Sequence, residues 1–292
     1  MDISWLQLYW AAHIVGFGLL LFRQMSTGNH WDKSYGERSP YDPVPWYHVR
    51  KRIYYFYVIS AIWHVWLLWA AVAAYCFGTS PDGRTASIIQ WAVSPQVENT
   101  DSTCVMLAYL FILAHTGRRL YECISVSIFS RRQSMNLLEW AWSASFYIML
   151  GLTVLAEGPS LFSTQSCFDI WKLSWRHLVA VPLFVWASNI HHHTHRGLAR
   201  VRRNRAGHIV TTSYKMPKGG WFDYVTCPHY FAEVLIYITF GLVIGFGHVT
   251  FWMCVAYLTI DQIYLAYCTK QFYLKKFSDY PKDRKMIFPY IL

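Results

Sequence analysis

Residues 175–205 read WRHLVAVPLFVWASNIHHHTHRGLARVRRNR, and the fold is decided there. An apolar run over 175–190 ends at four histidines within five residues. Arg196, Arg200, Arg202, Arg203 and Arg205 follow at once. A helix needs about 20 apolar residues to cross a bilayer, and this run approaches that length by extending into its polar flanks. An abrupt step from apolar to cationic is how a membrane span meets the cytosol.

Working outward, six more runs of the same kind occupy 4–22, 53–77, 103–117, 138–156, 231–248 and 249–268. The last two are joined so closely around Gly247 and His248 that they form a helical hairpin, with Gly245 and Gly247 supplying the freedom to turn. Lys and Arg fall between the runs in a fixed pattern. Segments 23–52, 118–137, 191–230 and 269–292 hold six, four, seven and six of them, together 23 of the 26. The alternate segments hold only Arg84, Lys172 and Arg176. By the positive-inside rule the rich segments are cytosolic, which puts the N-terminus on the lumenal side and the C-terminus in the cytosol after seven crossings.

Composition agrees. The chain has 292 residues, 54% of them hydrophobic and 14% charged, where soluble domains carry about 25% charged. Its 15 Trp, 21 Tyr and 18 Phe suit bilayer interfaces. Disordered, coiled-coil and small disulfide-scaffold classes are excluded. The net charge of +10 is split among membrane-tethered loops, so it reads as topology and not as a nucleic-acid surface. The first run lacks a basic n-region and a small-residue cleavage site, and reads as a retained span. The seven cysteines show no CxxC and, being odd in number, read as free apolar thiols. Cys104 and Cys167 are the pair that could meet on the non-cytosolic side. The whole chain, 1–292, reads as one membrane domain.

Ionisable groups inside a membrane are functional candidates by default. Here they are His13, His64, Glu139, Glu233 and Asp261. Glu139 and Glu233 sit near cytosolic ends, where a cap or an arginine partner is as plausible a role. Asp261, beside Gln262, lies deeper and faces the bundle, and His13 and His64 read as satisfied core histidines. His191 and His195, four apart, share a helical face, while His192 and His193 point elsewhere. The arginines after them suit phosphate, as well as lipid headgroups. Four histidines in five resemble a desaturase box, but a di-iron site needs several separated clusters and this chain has one, so no metal is assigned. GxGxxG, GxxxxGK[ST] and GxSxG are all absent. At 115–122, HTGRRLYE places His115, Arg119 and Glu122 on one face. The tail 271–292, QFYLKKFSDYPKDRKMIFPYIL, is too aromatic for disorder and folds back onto the bundle or membrane.

Taken together these segments resemble the steroid 5α-reductase family, and within it the polyprenol/polyprenal reductase branch. The tail is similar to the family ending FY-K-F-DYPK-RK-P, and 217–233, PKGGWFDYVTCPHYFAE, to its P-GG-F-YV-N-E element. HTGRRLYE and the insert RRNRAGHIV at 202–210 carry the likeness to the branch. The resemblance implies an all-α, seven-span enzyme of the endoplasmic reticulum membrane that uses NADPH, bound by 175–292. It reduces the α-terminal double bond of a polyprenyl lipid entering from the bilayer, in the conversion of polyprenol to dolichol for N-glycosylation. Carried over residue by residue, the cofactor positions are Arg119, His191, His195, Arg202, Tyr214, Lys215, His229, Glu233, Tyr273 and Arg284. His191, His195 and His229 differ in identity from the steroid enzymes. Those enzymes hold their ketone with a Glu on the second helix and a Tyr on the third. Here Trp63 and His64 stand on the second span, and Thr116 stands beside His115 on the third. The family's proton donor therefore does not carry over, and His115 is the expected donor here, with Glu122 or a tyrosine elsewhere as rivals.

Hydride addition to an enal pushes charge onto its carbonyl oxygen, and an isolated allylic alcohol offers no such sink, so the aldehyde is the expected substrate. Three rival functions are a 3-oxo-steroid 5α-reductase, a prenyl-group methyltransferase of related fold, and a seven-span transporter or receptor. The arginine cluster favours a phosphate-bearing cofactor over S-adenosylmethionine, and no internal repeat marks a transporter.

Overall fold

Runs rich in Leu, Ala, Trp and Phe, broken by Gly, Pro and capping side chains, set the elements of the chain. A computed structural model describes residues 3–27, 48–50, 54–79, 83–94, 98–129, 134–161 and 167–292. Among them are eight α-helices: α1 Trp5–Thr27, α2 Tyr55–Phe77, α3 Gly83–Ala92, α4 Ser102–Tyr121, α5 Leu137–Ala156, α6 Trp175–Arg200, α7 Pro228–Ile244 and α8 Val249–Lys276. The remaining sheet is one short antiparallel pair, β1 His48–Arg50 with β2 Ser134–Asn136.

Local chemistry fixes the helix ends. α2 stops at Gly78, whose φ of 63° suits glycine, and its N–H closes back on α2. The Asp101 carboxylate accepts from Cys104 N–H to start α4. Ser174 and His177 cap α6 reciprocally. Pro228 opens α7, where its missing N–H costs nothing. At the other end of α7 a tight turn leads into α8. Gly245 there has φ of 115°, and a Cβ on it would lie 2.7 Å from Arg176 Nη1. The Glu157 carboxylate receives α8's first N–H groups, from Val249 at 3.0 Å and Thr250 at 2.6 Å. A buried anion at a helix N-terminus complements both the orphan donors and the dipole.

All seven expected runs fall on helices. α1 (over Trp5–Ser26), α2 and α8 are long and apolar enough to cross a membrane, and Trp140–Ala156 and Pro228–Ile244 are shorter apolar helices. α4 and α6 are long enough, but histidines, arginines and Pro182 dilute them. Apolar side chains face outward along α1, α2 and α6, among them Leu19, Trp69 and Leu178, and a belt of that extent suits contact with lipid. α3 is a short helix between α2 and α4 that lies outside the seven expected runs.

α6 packs chiefly on α7, α2 on α4 and α1 on α8. Leu67, Tyr109, Leu150, Phe240 and Phe251 fill the space between them. The tail returns to the start of α7. Thr226 and Cys227 donate to Lys285 and Met286 carbonyls at 2.8 and 3.0 Å, and Met286 and Ile287 bury beside Val234 and Ala266.

Two expectations about thiols and histidines need correction. Cys167 pairs with Cys76, at the last turn of α2, across a Cα–Cα distance of 4.3 Å. Cys104 stays free and buried against Asp101 and His177. The α4 cap turns Cys104 inward, whereas the end of α2 lies open to Cys167. His13 and His64 are half-satisfied: Nδ1 of each meets a carbonyl one turn back, at 2.6 and 2.7 Å, and Nε2 of each is buried without a partner. Asp261 accepts from Gln262. The side chain of Glu139 lies outside the described residues.

Candidate functional site

The polar centre is assembled where the C-terminal end of α4 meets the faces of α6 and α7. HTGRRLYE closes α4, and the helix then loosens into a π-turn over Glu122–Val126. Such turns concentrate at functional sites because they re-aim side chains. Here the turn carries Glu122, whose carboxylate is fully buried. Arg118 and Arg119, one turn back, reach its two oxygens at 2.7 and 2.6 Å. His192 Nδ1, from α6, approaches the first oxygen at 3.0 Å. His192 therefore belongs to the site, because Glu122 reaches the flank of α6 and not only the His191–His195 face. His193 is exposed.

On that face His191 Nδ1 receives Arg118 Nη1 at 2.9 Å. Arg118 Nη2 reaches His115 Nδ1 at 3.1 Å. The far side of both imidazoles meets Glu233 on α7: His115 Nε2 lies 3.1 Å from Oε1, and His191 Nε2 lies 3.0 Å from Oε2. Only the first has hydrogen-bond alignment, so Oε2 lacks a partner. Five expected residues, His115, Arg119, Glu122, His191 and Glu233, thus share one buried network. His195 and His229 continue it by ring contact, His191 to His195 at 4.5 Å and His195 to His229 at 5.4 Å.

The charges balance, two guanidiniums against two carboxylates. Burial alone would raise the Glu122 pKa, but His191, Arg118 and Arg119 outweigh it and hold the carboxyl well below the usual carboxylate range. Glu122, His191 and His195 bring three donor atoms within 4.8 Å of one another. A cation there would face both guanidiniums bonded to Glu122, and Arg118 already occupies His191 Nδ1.

A second group lies on 202–284. The Arg202 guanidinium stands over the Tyr214 ring at 5.2 Å and donates to the Ile128 carbonyl. Tyr214 packs on Phe272. Buried Tyr273 lies 5.9 Å from the Tyr280 ring, and buried Arg284 covers the same ring at 5.4 Å. Lys215 is exposed and has no polar partner among the described residues. Beside α6, an open cleft of about 340 Å³ is lined by Arg196, Arg200, Arg203 and Arg205.

Besides His192, sequence reasoning missed three groups. Arg118 was legible as an i,i+4 partner of Glu122 and was passed over. Tyr57 on α2 receives Arg119 Nε at 3.2 Å, and no local pattern announces it. Tyr237, one helical turn beyond Glu233, is fully buried, its ring 5.9 Å from His115 and its hydroxyl without a partner.

Buried polar atoms without partners gather at this centre: Ser188 Oγ, His195 Nε2, His229 Nδ1, Glu233 Oε2, Tyr237 OH and Arg118 Nε, with Arg284 Nε and Nη1 in the second group. Folded proteins satisfy nearly all such atoms, so a concentration of them marks room for a polar ligand.

A family model described as 3-oxo-5-alpha-steroid 4-dehydrogenase matches residues 133–292. Over 245 residues the chain is 35% identical to polyprenal reductase of Danio rerio, covering 83% of this chain and 79% of that protein. It is 33% identical over 255 residues to polyprenal reductase of Xenopus laevis, covering 85% and 79%. With polyprenal reductase of Homo sapiens it shares 30% over 249 residues, covering 83% and 78%. The chain belongs to the steroid 5α-reductase family, a class of reductases acting on a carbon–carbon double bond.

Proposed function

We propose that this protein is an NADPH-dependent reductase of polyprenal, saturating the α-terminal double bond to give dolichal. It would act in the route from polyprenol to dolichol that supplies protein N-glycosylation. Its setting is the endoplasmic reticulum membrane, crossed seven times with the N-terminus lumenal and the C-terminus cytosolic. The single observation that carries the reading is the buried His115–Arg118–Glu122–His191–Glu233 network on the motif shared with that branch.

NADPH, when bound, supplies the hydride that adds to the β-carbon of the enal. The residues suited to hold it are Arg119, His191, His195, His229 and Glu233 in the network, and Arg202, Tyr214, Lys215, Tyr273 and Arg284 in the second group. The partnerless atoms on His195, His229, Glu233 and Arg284 fit a ligand with both amide and phosphate groups. This chain must then stabilise charge growing on the carbonyl oxygen and deliver a proton to the α-carbon. Tyr237 OH is a free buried donor suited to the first task. His115, joined through Nε2 to Glu233, is suited to the second as part of a relay that passes a proton through the pair as each is reprotonated. Glu122, fixed by two guanidiniums, serves as an anchor for this proton path.

The test is NADPH consumption by the purified, detergent-solubilised protein with a polyprenal, the matching polyprenol and a steroid enone in parallel. The expected result is saturated product from polyprenal alone. Turnover of the steroid alone would move the protein to the other branch of its family. His115→Ala should lower kcat by roughly a hundredfold or more, the usual contribution of a general acid, and normal turnover would remove His115 from that role.

A further inference from the structure

Arginine has five donors and no acceptor. Any nitrogen that bonds to it must therefore offer a lone pair. The Arg118 guanidinium meets Nδ1 of His115 at 3.1 Å and Nδ1 of His191 at 2.9 Å, one on its own helix and one on α6. A neutral His115 then carries its proton on Nε2, whereas His191 Nδ1 also lies 3.5 Å from Glu122 Oε2, so Arg118 alone does not set the tautomer of His191. His115 Nε2 is the atom that bonds to Glu233, at 3.1 Å. Glu122 holds the guanidinium in place at 2.7 Å.

We infer that Arg118 is a positioning residue that fixes His115 in its Nε2–H tautomer and so aims that N–H at Glu233. The inference deepens the functional reading above and rests on it, because the orientation matters only if His115 moves a proton. Every group around His115 agrees with the assignment. Arg118 comes from α4 and His191 from α6, while Glu233, Tyr237 and the apolar Phe240 come from α7. None of them offers an acceptor to Nδ1, whereas Glu233 offers one to Nε2. Lysine could keep the charge at 118 and the pairing with Glu122. Its single nitrogen, however, lacks the planar fork that serves a carboxylate and two imidazoles together.

The experiment uses the full chain, labelled with 15N-histidine and solubilised in detergent, with His115 signals assigned by their loss in His115→Asn. In the wild type, His115 should show a protonated Nε2 and a bare Nδ1. In Arg118→Lys, that single tautomer should give way to a mixture. For the reduction of polyprenal, kcat should fall at least about tenfold, as when a catalytic histidine loses the partner that sets its tautomer. KM for polyprenal should stay within about twofold, a split that a general loss of structure would not produce. A wild-type His115 protonated on Nδ1 would overturn the inference, with or without a folded Lys variant. So would an Arg118→Lys protein that keeps the pure Nε2–H form. A wild-type protein that reduces no polyprenal would overturn the functional reading instead, and the tautomer measurement would still decide the role of Arg118.

Discussion

Replacing Glu122 with Gln tests the centre of the network with minimal change of shape. The carboxylate accepts from Arg118 at 2.7 Å, Arg119 at 2.6 Å and His192 at 3.0 Å, and its side chain has no exposed surface. An amide there keeps one acceptor and turns an NH2 toward groups that also donate. Two largely buried guanidiniums lose their shared counter-charge. Removing one partner of a buried ion pair costs about 3–5 kcal/mol. For a chain of this size each kcal/mol moves Tm by about 2 °C, so the expected drop is roughly 6–10 °C. Tryptophan-fluorescence melting of the detergent-solubilised protein reads it directly. The dependence on pH has a fixed sign. The folded pKa of Glu122 is depressed by His191, Arg118 and Arg119 against the opposing effect of burial. Its contribution is then fully present above the unfolded value near 4.3, and is lost as pH falls through the lower folded value. The gap between wild type and Glu122→Gln should be flat from about pH 8 to about pH 5 and narrow only below about pH 4. A gap under about 2 °C at neutral pH, or one that widens on acidification, would refute the claim that this carboxylate is the ionised hub of the site.

Three further outcomes follow from the fold. The Cys76–Cys167 bond closes a loop with a sequence separation of 91; Cys76→Ser should cost about 4 kcal/mol, with no added loss in the double variant, and alkylation of Cys76 without reductant would show the bond to be absent. Glu157→Leu strips the partner from Val249 N–H, Thr250 N–H and hydroxyl, and the Asn99 amide; a loss of at least about 3 kcal/mol is expected, and unchanged hydrogen exchange at Val249 and Thr250 would count against it. Gly245→Ala puts a side chain at φ 115° and within 2.7 Å of Arg176 Nη1; about 1–3 kcal/mol of strain is expected, and a melting curve matching wild type would show that the α7–α8 turn relaxes freely.

What the sequence made legible is what lies within a turn of helix or in a long apolar run. The seven runs landed on helices, and the spacing within HTGRRLYE put Arg119 and Glu122 together. The same spacing contained Arg118–Glu122, which is equally local. The contacts between helices follow a different logic. His115 meets Glu233 across a separation of 118 residues, and His192 meets Glu122 across 70. Nothing in the period of a helix says which of its faces meets which neighbour, and that is why His192, Tyr57 and Tyr237 had no signal. The cystine was misread for a similar reason. Cys76 lies in the last turn of α2 and Cys104 in the first turn of α4, so the sequence offers both, and the cap at Asp101, by turning Cys104 inward, separates them.

The composition of the network is itself an argument for use. Two arginines, two glutamates and several histidines have been taken out of water into a bundle that elsewhere buries Leu, Phe and Tyr. Desolvating charges costs several kcal/mol per ion, and packed apolar side chains of the same volume would hold α4, α6 and α7 together at least as well. Stability therefore does not account for the set. Neither does solubility, because Glu122 and His115 are hidden from solvent. The partnerless atoms beside it, on Ser188, His195, His229, Glu233 and Tyr237, lower stability further unless something binds them. A site that departs from the best packing in both respects, at the one place where α4 loosens into a π-turn, is where a fold carries its chemistry.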